Sequence, residues 1–228
     1  MDDDSARQVD ALLRSRRSTR AFAPEPVSMG EVWAILDAAS SAPSNSNTQP
    51  WRVYALAGAP MKALGEALVE AFRRDAAPPS PHFPDPLPGA FAARQGDFGA
   101  RYYASLGIDR ADAQARAGQT QRNFSFFGAP VGLIFAIDRR LRAHSWLDLG
   151  LFVQSVMIAA AARGLATCPQ VSFARFHAVI AEHLGMPEHE VTACGMSLGH
   201  ADVAAAVNGV RMPRERVEDF ARFTGFEG

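Results

Sequence analysis

Apolar positions near the start of the chain fall at helical spacing. Val9, Leu12 and Leu13 give the segment from Ser5 to Arg17 one apolar face, with Ser5 placed to cap it. A second helix is predicted from about Ser28 to Ser41, with Val32, Trp33, Ile35, Leu36 and Ala39 on its apolar side. Trp51 to Ala57 reads as a strand. Met61 to Arg74 is again helical, entered through Pro60, with Leu64, Leu68, Val69 and Phe72 facing inward. The pattern lapses between Ala76 and Ala90. There Pro78, Pro79, Pro81, Pro84, Pro86 and Pro88 exclude helix and central strand, so an extended loop, a wall or a lid, is expected. Two helical stretches follow, roughly Phe98 to Leu106 and Asp109 to Phe127. Their Tyr102, Tyr103, Phe124, Phe126 and Phe127 suit a pocket for a flat ligand and core packing equally well.

Val131 to Ile137 is a continuous apolar run and reads as a buried strand. From Trp146 to Arg163 the apolar residues circle the helix axis. A helix of that kind is buried on every side, and in a chain of 228 residues a subunit interface is a natural cover. Gly164 ends it. Ala166 to Ser172 reads as a short irregular link with a fixed proline, Pro169, followed by a helix from Phe173 to Leu184. Glu190 to Leu198 is another strand. The tail is expected to be extended from Ala201 to Pro213 and to end in a short helix from Arg214 to Phe223. Its apolar part, Val203 to Val207, suits contact with another surface.

The length fits one sizeable domain, or one domain with an excursion. With 48% hydrophobic and 21% charged residues the composition is globular, and a net charge of −1 provides no global field for nucleic acid or anionic lipid. Two cysteines, Cys168 and Cys194, make neither a disulfide framework nor a metal cluster, so a reduced, cytoplasmic setting is expected. Met1-Asp2-Asp3-Asp4 lacks the apolar core of a secretory signal. The apolar run from Leu147 to Ala162 contains Asp148, Gln154 and Ser155, too short and too polar to span a bilayer.

Several chemistries are excluded. There is no Gly-x-Gly-x-x-Gly turn, no phosphate-binding loop of the Walker type and no Gly-x-Ser-x-Gly elbow. The histidines show no metal-binding spacing, and Cys168 without a neighbouring histidine reads as structural rather than nucleophilic. Two polar constellations remain. Arg16-Arg17-Ser18-Thr19-Arg20 offers guanidinium forks and hydroxyls to an anion, beyond what a helix C-terminus requires. Ser40 to Arg52 gathers short donors and acceptors between Pro43 and Pro50, which serve either a solvated turn or a polar ligand. Together they suit an anionic, polar-edged cofactor that does its own chemistry.

These residues resemble the nitroreductase family of FMN-dependent oxidoreductases. The matches are Arg16 to Phe22, Ala42 to Trp51, Asp148-Leu149-Gly150 with Gln154, Gly164-Leu165-Ala166-Thr167 and Arg211-Met212-Pro213, in the family's order over nearly the whole chain. The middle insert with Phe126-Phe127-Gly128-Ala129-Pro130 looks like the nitrobenzoate and nitroaromatic reductase branch. The resemblance implies an α+β fold, a mainly antiparallel sheet wrapped by helices, in an intertwined homodimer. The chain would be a single domain over residues 1–228, with an insert or lid at about 76–127 and a dimer-embracing tail at 200–228. FMN would lie at the interface. Arg16 and Arg211 would hold its phosphate, and Arg17, Ser18 and Arg20 would reach the ribityl chain and the pyrimidine edge. Pro43, Ser44, Asn45, Ser46 and Asn47 would come from the other subunit. Pro169, Gln170, Val171 and Ser172 would lie beside the ring, with a backbone N–H of Val171 or Ser172 near N5. Cations at the N1–O2 edge would favour the reduced flavin.

Many members carry a Glu-Gly pair where Val171-Ser172 stand here, and a second cation where this chain has Gly209. The implied activity is NAD(P)H-dependent reduction of nitroarenes or similar flat electrophiles such as quinones, by alternating half-reactions. The cofactors would be FMN and either NADPH or NADH, with no catalytic side chain, metal, nucleic acid or membrane. Other readings are a reductive dehalogenase, an enone or quinone reductase, a flavin-consuming enzyme, a non-catalytic FMN-binding protein, or a module with a generic anion site.

Overall fold

The computed structural model describes residues 3–74 and 87–226. Its sheet has four strands: β1 (Trp51–Ala57), β2 (Val131–Asp138), β3 (Ala166–Gln170) and β4 (Glu190–Gly199). They lie in the order β1-β2-β4-β3 and every neighbouring pair is antiparallel. Central β2 is buried from Val131 to Ile137 because helices cover both sheet faces. On one face Leu133 and Phe135 meet Ile35 and Ala39 of α2 (Met29–Ala39) and Phe152 and Val156 of α6 (Ala143–Ala161). On the other, Ile134 meets Leu64 and Leu68 of α3 (Gly58–Arg73) and Ile180 of α7 (His177–Leu184). Side chains alternate faces along a strand, so two apolar coats produce an unbroken apolar run rather than an alternating one. Gly132 is required there, since a Cβ would lie 2.4 Å from Cε1 of Phe126.

Helix ends follow local chemistry. Ser28 caps α2 in a reciprocal box: Glu31 N–H donates to Ser28 Oγ at 3.2 Å and Ser28 N–H to Glu31 Oε2 at 2.8 Å. The first helix, α1 (Asp3–Ser15), stops before Arg16 and Arg17, which therefore stand on a loop. Asp112 caps α5 (Ala113–Gln121), where Ala115 N–H donates to its Oδ1 at 2.8 Å.

Several elements differ from expectation. The prolines from Pro78 to Pro86 lie outside the described residues. Pro88 precedes α4 (Gly89–Ser105), so residues 89 and 90 are helical rather than loop and this helix starts nine residues before Phe98. The stretch from Asp109 to Phe127 is not one helix. It ends at Gln121, and Phe126 and Phe127 adopt left-handed φ of 52° and 54°. Burial of both rings holds that rarely adopted backbone. Ala166–Gln170 is a strand, not an irregular link. β3 is an edge strand, so Pro169 costs it no obligatory ladder bond. Residues Val171–Phe176 form tight helical turns ahead of α7. The tail, expected to be extended as far as Pro213, contains a one-turn helix, α8 (Ala206–Gly209), and its last helix, α9 (Val217–Phe220), is shorter than predicted. In α6 the inner face is buried, but Leu147 is 66% and Leu151 40% exposed, so one chain does not cover this helix all round.

Candidate functional site

The arginine segment runs along the edge of the sheet. Ser18 bridges to Thr167 of β3, and Thr19 N–H donates to Thr167 O at 3.0 Å. Further on, Phe22 bridges to Ala201 and Ala23 N–H donates to His200 O at 2.9 Å. Asn208, only 3% exposed, completes the clamp from the tail: its Oδ1 accepts from Arg20 N–H at 2.8 Å, and its Nδ2 donates to Ala21 O at 2.7 Å and Asp202 O at 2.8 Å. An extended segment held on both sides by backbone bonds presents its alternate side chains in fixed directions.

Its cations are poorly compensated. None of the ion pairs among the described residues involves Arg16, Arg17, Arg20, Arg211 or Arg214. Burial pushes the Arg16 guanidinium below its ordinary pKa, and the positive charge of Arg214 pushes it further the same way. Arg16 and Arg17 line a small cavity of about 170 Å³ with Ser15, Thr19, Gly164 and Thr167. Two guanidiniums near each other at the edge of a cavity form a site that an anion relieves. The cation that Arg16 feels is Arg214, which the sequence reading did not single out; Arg211 is exposed on the same tail. Arg20 does not line this cavity: its guanidinium carbon stands 5.2 Å from the ring centre of Phe98 and 5.0 Å from that of Tyr102.

Beside this segment Cys168 is buried. Burial raises its thiol pKa to about 11 against the pull of Arg20 and Arg16, so it is a protonated structural residue. Gln170 is also committed inward. Its Oε1 accepts from Ser197 Oγ at 2.8 Å and its Nε2 donates to Asn123 O at 2.7 Å. Only the backbone of Gln170 is therefore left for a ligand. Pro169 is partly exposed and Val171 exposed, while Ser172 Oγ is buried with no hydrogen-bond partner.

The polar stretch Pro43 to Asn47 lies apart. Asn45 N–H donates to Oδ2 of buried Asp148 at 3.2 Å, which fastens the loop to the N-terminal part of α6. Ser44 Oγ accepts from Gln49 N–H at 3.0 Å. Ser46, Asn47 and Gln49 have positive φ of 51°, 56° and 45°, and Asn45, Ser46 and Asn47 remain exposed. Three left-handed non-glycine residues within four positions mark a loop held in a costly shape. The arginine segment sits at the other end of α6, where Ala161 and Gly164 line the cavity with Arg16. From Asp148 to Ala161 the helix rises roughly 20 Å. One chain therefore does not bring the two predicted halves of the site together.

Of the aromatics, Tyr102, Phe124, Phe126 and Phe127 are buried; Tyr103 lines a groove of about 590 Å³ between α4 and α5, and Phe126 also borders one of about 540 Å³ beside α3. Sequence reasoning missed Asn208, Arg214 and the role of Phe98. Asn208-Gly209 reads locally as a turn signal, and nothing near it in sequence points to residue 20. Among the described residues no group of His, Cys, Asp and Glu is arranged to hold a metal, and no helix is long and apolar enough to cross a membrane.

Comparison with known proteins agrees over nearly the whole chain. The model of the nitroreductase family matches residues 13–200. A 4-nitrobenzoate reductase of Pseudomonas putida is 49% identical over 218 residues, 96% of each chain. A nitrobenzene nitroreductase of Ectopseudomonas oleovorans is 42% identical, over 94% of this chain and 96% of its own. Among solved structures, the FMN-dependent nitroreductase NfnB of Mycobacterium smegmatis in complex with NADPH superimposes with a TM-score of 0.92 at 36% identity, covering 96% of this chain and 99% of its own.

Proposed function

The chain belongs to the nitroreductase family, and we propose that it is an FMN-dependent NAD(P)H oxidoreductase that reduces nitroarenes. The observation that carries this is the set of arginines around residues 16–20, held by backbone bonds and, among the described residues, without carboxylate partners. Such donors fit a phosphate and a flat ring with a polar edge. FMN, when bound, supplies the electron-transfer chemistry.

The residues divide the work. Arg16 and Arg17, with Arg211 and Arg214 from the tail, would hold the phosphate. Ser18 and Arg20 would meet the ribityl chain and the pyrimidine edge, where a fixed positive charge would stabilise the negative charge that builds up as electrons arrive. The backbone of Pro169 to Ser172 would offer N–H groups beside the ring. Neutral Cys168 and inward-tied Gln170 take no part in proton transfer. Donor and acceptor would use one exposed face in turn.

A homodimer belongs to the same reading. Pro43 to Asn47 would serve the flavin bound mainly by a second copy, which explains a strained, exposed polar loop at the far end of α6. Exposed Leu147 and Leu151 on α6 and Phe220, Phe223 and Phe226 on the tail supply apolar surface for that copy. The chain would act as one domain in the cytoplasm, where Cys168 and Cys194 stay reduced.

The test is direct. Purified protein reconstituted with FMN should show flavin absorbance that NADPH or NADH bleaches without air, and should sustain NAD(P)H consumption there when a nitroarene such as 4-nitrobenzoate is added. Flavin that binds but stays oxidised under NAD(P)H would mean a binding protein instead. Failure to bind FMN at all would refute the proposal.

A further inference from the structure

Arg20 has an unusual set of neighbours. Its guanidinium carbon lies over two aromatic rings of α4, 5.2 Å from Phe98 and 5.0 Å from Tyr102. The rings are four residues apart on one helix face and stack with centroids 5.5 Å apart and planes 11° from parallel. Tyr102 is buried and fixed further by Gln119, whose Nε2 donates to the tyrosine hydroxyl at 2.7 Å. The cluster packs on Ala21, which follows Arg20, and on Val207, which precedes Asn208. The backbone of Arg20 is pinned by Asn208 and its side chain by α4. Its polar side-chain contact is a 3.4 Å hydrogen bond from Nη1 to Ser18 O, which leaves the charge uncancelled.

This cradle has a consequence that a salt bridge would lack. A carboxylate would hold a guanidinium and neutralise it. An aromatic face holds it through the ring quadrupole and keeps the full positive charge. We propose that Phe98 and Tyr102 are positioning residues for Arg20, aiming an uncancelled cation at the bound flavin and so raising the flavin's reduction potential. Through them the insert helix α4 sets an electronic property of a cofactor it need not touch. The inference rests on the reading that FMN binds beside Arg20.

The test uses the FMN-loaded protein and reads the midpoint potential of bound flavin and its dissociation constant. Arg20→Gln should lower the potential. Tyr102→Leu and Phe98→Leu should each reproduce part of that loss, weakening binding of reduced relative to oxidised FMN about three- to tenfold. A tenfold change corresponds to about 30 mV for a two-electron couple. Tyr102→Phe keeps the ring face and should restore the wild-type potential, although it loses the bond to Gln119. Phe98, less buried than Tyr102, gives the variant that folds most readily. If the leucine variants keep the wild-type potential while Arg20→Gln lowers it, the positioning role is wrong. If Arg20→Gln changes neither potential nor affinity, the placement of FMN beside Arg20 fails instead.

Discussion

Asn208 accepts a hydrogen bond from the backbone N–H of Arg20 at 2.8 Å, across 188 positions of sequence. The same side chain donates to Ala21 O and Asp202 O, so one buried amide joins the arginine segment to the tail. Asn208→Ala leaves these backbone groups without their partner in a dry place. We expect a loss of about 2–4 kcal/mol in stability, because unmade buried bonds cost more than made ones contribute. FMN affinity should fall with it. Urea unfolding and FMN titration of one preparation check both, and an unchanged midpoint would show that water replaces the amide.

Arg214 and Arg16 repel each other. Relief of that repulsion should make the FMN-free Arg214→Gln protein at least as stable as wild type, while its affinity for FMN falls about tenfold through loss of one charged phosphate contact. Arg211→Gln is the matched comparison. Affinity that drops only in the Arg211 variant would return the phosphate role to Arg211 alone.

Leu147 and Leu151 are the exposed apolar positions on a helix whose other side is core. Leu147→Glu with Leu151→Glu should convert the proposed homodimer to monomer in sedimentation velocity. The flavin site would then lose the loop from Ser44 to Asn47, so FMN should dissociate as well. A double variant that stays dimeric with FMN bound would place the interface elsewhere.

His177 ties stability to pH. Thr192 N–H donates to its Nδ1 at 3.2 Å, a bond that needs the ring unprotonated on that nitrogen. Burial, and then the positive charge of Arg139, lower its pKa below the usual histidine value of about 6.5. The unfolded chain therefore takes up this proton first as pH falls. Stability should be full above about pH 6.5 and decline below it. His177→Gln should flatten that decline. Denaturant midpoints at pH 8 and pH 5.5 give the comparison, and equal declines in the two proteins would assign the effect to other groups.

Much of the fold is legible along the chain. The helices α2 and α3 and the buried run of β2 are local patterns, and each appears within a residue or a few of its expected place, although Trp33, read onto the apolar side of α2, is exposed. The expected boundaries fail where a distant contact outweighs local preference. Pro169 looks like a break but lies in an edge strand, because β4 supplies the pairing. Phe126 and Phe127 look helical but take left-handed backbone, because burying both rings outweighs the strain.

The site divides the same way. Arginine, hydroxyl and amide chemistry is a property of residue types and short spacings, so the anion-binding character of Arg16 to Arg20 can be read without coordinates. Which cation faces Arg16, what clamps Arg20, and where Ser44 to Asn47 lies depend on residues dozens to nearly two hundred positions away. Those contacts form only when the sheet and α6 are assembled. Packing and hydrogen bonding act over a few ångströms of space whatever the separation in sequence, so the fold alone decided that Arg20 rests on Phe98 and Tyr102 and that the polar loop stands at the far end of α6.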